Sequence, residues 1–63
     1  MNRINQMIDR YAVAAAVSML NADHCARDGF TEEARGYMDN ALEARHELTQ
    51  WIKISQAVRG WQL

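Results

Sequence analysis

Residues 26 to 35 read ARDGFTEEAR, and they decide the fold. Gly29 suits the left-handed backbone position just past a helix end, and Phe30 then folds back over the last turn. Thr31 is the expected N-cap of a following helix, and Glu32 and Glu33 place negative charge at its positive end. On both sides of this break the chain holds no proline, and glycine recurs only at 36 and 60. Alanine, leucine, methionine, glutamate, glutamine and arginine are abundant, and all favour helix. The expectation is a single all-α domain: a helix over about 2–28, a turn at 29–31, a helix over about 32–58 and a short C-terminal tail. Two rods of similar length joined by a tight turn make an antiparallel two-helix hairpin. Gly36 is read as a tolerated surface glycine.

Length bounds what such a hairpin can do. The chain has 63 residues, and a domain of about 60 buries only ~60% of the surface its unfolded chain exposes. Small scaffolds gain support from disulfides, a metal or a partner subunit. Cys25 is the only cysteine, so an internal disulfide is excluded, and no Cys/His spacing suits tetrahedral zinc. Self-association is the remaining support. Seven basic and eight acidic residues give a net charge of −1, which argues against a strong electrostatic footprint for nucleic acid or an anionic membrane.

The stretch YAVAAAVSML, residues 11–20, has one polar side chain, Ser18. Arg3 and Arg10 before it and Asn21-Ala22 after it give the outline of a secretory signal, but Asp9 sits among the basic residues. Ten apolar residues also fall short of the about 20 that a bilayer requires. The expected setting is a cytoplasm, which the lone thiol fits.

At 100° per residue, Ile4, Met7, Ile8, Tyr11, Ala14, Ala15, Ser18, Ala22, Cys25 and Ala26 share one face of the first helix. Ala34, Tyr37, Met38, Ala41, Ala44, Leu48 and Ile52 share one face of the second. Folding the hairpin sets Ile8 near Ile52, Tyr11 near Leu48, Ala15 near Ala44 and Cys25 near Ala34. Alanines at mid-height imply closely spaced helices. Two clusters are left over: Val13, Ala16, Val17 and Leu20 on the first helix, and Trp51, Ile54, Val58 and Trp61 at heptad-like spacing on the second. Exposed apolar clusters mark interaction sites, so these eight residues are the expected dimer or partner interface. Two hairpins would bury them as a four-helix bundle. The competing arrangement has residues 54–63 bending back over the cluster within one chain.

No residue pattern announces a chemistry. Glu43 and His46 form an E-x-x-H pair, but they point away from the apolar stripe and the first helix supplies no glutamate, so a solvated face is expected and no metal or cofactor. Asp23, His24 and Cys25 diverge by ~100° each on a helix and cannot converge on a substrate. With no phosphate-binding glycine loop or nucleophile elbow, the chain is read as a non-enzyme without a small-molecule substrate. Arg3, Arg10, Lys53 and Arg59 gather at one end of an antiparallel hairpin, where Trp61 could stack a base; nucleic-acid contact there is the alternative reading.

The opening MNRINQMIDRYAVAAAVSMLNADHCARDGF, the closing WIKISQAVRGWQL and the overall length resemble the small proteins encoded in the exo–xis region of lambdoid bacteriophages. The resemblance covers the whole chain. It implies an early viral protein in the bacterial host cytoplasm, connected with phage development, the choice between lysis and lysogeny, and interference with host processes. It brings no enzymatic activity and no residue-level site. With the hairpin reading, it leads to the expectation of a homodimer that binds a host protein, with a nucleic-acid-binding regulator as the alternative.

Overall fold

The computed structural model describes residues 2–61. Two helices account for nearly all of them: α1, Arg3–Arg27, and α2, Thr31–Trp61. They pack antiparallel into a rod with extents of 52 × 18 × 12 Å. The radius of gyration, 14.8 Å, exceeds the roughly 11 Å of a compact chain this long. The elongation follows directly from helices that rise ~1.5 Å per residue with nothing else to fold over them.

Local chemistry sets the ends. Asn2 caps α1: its side-chain oxygen accepts the Asn5 amide at 2.8 Å, satisfying one of the donors that a helix start leaves free. At the other end Gly29 has φ +85°, the left-handed conformation glycine adopts without a Cβ clash. Its amide donates to the Ala26 carbonyl at 3.2 Å, and the Phe30 amide donates to the Cys25 carbonyl at 2.8 Å. These two bonds are the Schellman closure. The Phe30 carbonyl then accepts the Ala34 amide at 2.9 Å and starts α2. Phe30, not Thr31, therefore occupies the capping position, and Thr31 is the first helical residue. Glu32 and Glu33 do lie in the first turn of α2. The second helix also runs on to Trp61. Residues 54–61 are straight helix and do not fold back over α1; Gln62 and Leu63 lie outside the described residues.

The seam between the helices is lined by small side chains. Ala15 and Ala22 of α1 and Ala41 and Ala44 of α2 are the buried apolar residues among those described, with Ala41 only 1% exposed. Among the described residues no large side chain is fully buried. Above and below the alanines, Ile4, Ile8, Tyr11, Ser18 and Cys25 of α1, and Ala34, Leu48, Trp51, Ser55 and Val58 of α2, are half-buried. In α1 the inner positions step 4-8-11-15-18-22-25, alternating four and three. In α2 they step 41-44-48-51-55-58 in the same way. This is the 3.5-residue repeat of a coiled coil.

That repeat corrects the sequence-based faces. A wheel drawn at 3.6 residues per turn drifts ~20° per heptad from a 3.5 repeat. By the far end of α2 the drift exchanges neighbours. Ile52, expected inside, is exposed, while Trp51 and Val58, expected off the core, are half-buried. Tyr37, Met38 and Ala26, also placed in the core, are exposed. The remaining inner residues of α1 lie where the wheel put them.

Candidate interaction surface

A hairpin has two broad faces, and here they differ in kind. On one side an open groove of ≈ 950 Å³ runs between the helices towards the turn. Its apolar lining includes Ala16, Met19 and Leu20 from α1 and Ala34 and Met38 from α2, with Asp23, Arg35 and Asp39 at the rim. Leu42 follows Met38 by one helical turn and Arg35 by two, so it continues the same side. It is 54% exposed, and Leu20 is 70% exposed. Val13 precedes Leu20 by seven residues and stands at the outer edge of α1, 61% exposed. The other side is polar: Tyr11 and Ala14 face Asn40, Glu43, Ala44 and Glu47 across a shallow depression.

The eight expected interface residues do not form one surface. Val13, Ala16, Val17 and Leu20 are all exposed along α1, with Ala16 and Leu20 in the groove. Trp51 and Val58 instead belong to the seam. Ile54 and Trp61 lie seven and fourteen residues beyond Glu47, on the polar side near the open end, with Trp61 82% exposed. The groove's own contributors on the opposite rod are Met38, which the sequence reading placed in the core, and Leu42, which it did not single out. Met19 was likewise passed over. A signal existed: Met38 and Leu42 form an i, i+4 apolar pair on α2, and Met19 and Leu20 stand level with them once the turn is fixed.

The other candidates are dispersed. Asp23 pairs with Arg27 at 3.1 Å, and His24 Nε2 lies 3.3 Å from Asp28 Oδ2. Both are exposed i, i+4 contacts, the kind that contribute little to stability. Cys25 is a half-buried free thiol in the seam. The three side chains of Asp23-His24-Cys25 thus have separate surroundings. Glu43 and His46 are both exposed, and no group of three or more possible metal-ligating side chains occurs among the described residues. Arg3, Arg10, Lys53 and Arg59 are exposed at the open end, where Arg59 sits beside Asn2 and Asn5. Among the described residues no helix is long and apolar enough to cross a membrane.

The charges along the rod are unevenly spread, with Glu43, Arg45 and Glu47 between the two ends. The turn end carries Asp23, Asp28, Glu32, Glu33 and Asp39 against Arg27 and Arg35, a net of −3. The open end carries Arg3, Arg10, Lys53 and Arg59 against Asp9, a net of +3. The two helix dipoles run in opposite directions and cancel, so side chains alone set this polarity. Comparison of the chain with family models, with curated proteins and with solved structures finds no match.

Proposed function

We propose that this chain is a non-enzymatic interaction protein that self-associates as a homodimer, forming a four-helix bundle, and binds a partner protein. The observation that carries the reading is the inversion of the usual burial pattern. The buried set consists of four alanines, while Val13, Val17, Met19, Leu20, Met38 and Leu42 face outward. Burying a methyl is worth ~0.8 kcal/mol, and a full leucine or isoleucine side chain ~1.5–3 kcal/mol. A chain that leaves these six large apolar side chains exposed gains from meeting another molecule.

The resemblance to exo–xis region proteins supplies the setting. In this reading the chain is an early phage protein of the bacterial host cytoplasm that influences phage development, including the balance of lysis and lysogeny, by engaging a host factor. The test compares lysogenisation frequency in hosts expressing the wild-type chain, Leu42→Asp, or nothing. The reading predicts that wild type shifts the frequency and Leu42→Asp does not. Equal frequencies in all three would contradict it.

A second reading has one observation in its favour: the +3 open end places Arg3, Arg10, Lys53 and Arg59 near the exposed Trp61. There the chain would act as a small nucleic-acid-binding regulator. Binding of random duplex or single strands at micromolar protein, lost as salt rises, favours that reading. Association with a protein that survives nuclease and ~0.5 M salt favours the first, because phosphate contacts weaken steeply with salt.

A further inference from the structure

We draw no further inference here: the strongest candidate, the apolar groove that Met19, Leu20 and Met38 line in the turn half of the rod, carries no proposal because nothing in the structure shows what covers it, its rim bearing both signs of charge at Asp23, Arg35 and Asp39.

Discussion

The two broad faces of this hairpin come from the same two helices and the same turn, yet one is apolar and the other acidic. On the groove side, Met19 and Leu20 stand across from Met38, with Leu42 one turn further on. On the far side, Tyr11 and Ala14 stand across from Asn40, Glu43 and Glu47. The seam between them does not account for the difference, since its buried alanines and half-buried Ile4, Ile8, Tyr11, Leu48, Trp51 and Val58 lie between the two faces. In a monomer the apolar face would cost solubility and return nothing. The contrast teaches that large apolar side chains of this sequence divide between the half-buried seam and one exposed face, while the alanines let the two helices come close.

The contrast can be broken or sharpened by substitution. The largest effect is expected at Leu42→Asp, which puts a charge on the apolar side one turn beyond Met38. It should remove the leucine's contribution and bury a carboxylate, costing about 3 kcal/mol or more of dimer stability, seen as a shift to monomer or unfolded chain in sedimentation and circular dichroism. Next comes the seam itself. Ala41→Leu introduces three carbons where the native residue is 1% exposed, and overpacking should lower stability by ~1–3 kcal/mol in thermal melts. This loss is expected with either face intact, so it separates the seam from the surface.

Smaller effects belong to the polar side. Gly36 has nothing within 4 Å of an added Cβ and lies one turn before Asn40, in the second turn of α2. Gly36→Ala should raise stability by up to ~1 kcal/mol through helix propensity alone, with no change in mass. The smallest effect is expected for Glu43→Gln on the acidic side, within ±0.5 kcal/mol as for surface substitutions generally. A large loss of association there would erase the distinction between the faces.

Much of the fold was legible from particular residues. Gly29 marked the turn, the absence of proline allowed long helices, and the alanines at 15, 22, 41 and 44 marked the close contact. Thr31 misled because a threonine before two glutamates looks like a cap, whereas the Schellman closure at Gly29 draws Phe30 into that position. Trp51, Val58 and Ile52 misled for a geometric reason: the wheel assumed 3.6 residues per turn, and the supercoiled seam repeats at 3.5. The apolar groove was only half legible. Val13 and Leu20 stood out because α1 is otherwise polar on that side. Leu42 did not, because its neighbours in sequence are Asp39, Asn40 and Glu43, and its apolar company comes from the other helix.

Sedimentation equilibrium of the unmodified chain, with helicity followed over the same dilution series, tests the central claim most directly. The account predicts a mass of twice 7.2 kDa at high concentration, with helix content falling as the complex dissociates. A fully helical particle of one chain that melts cooperatively at every concentration would contradict it.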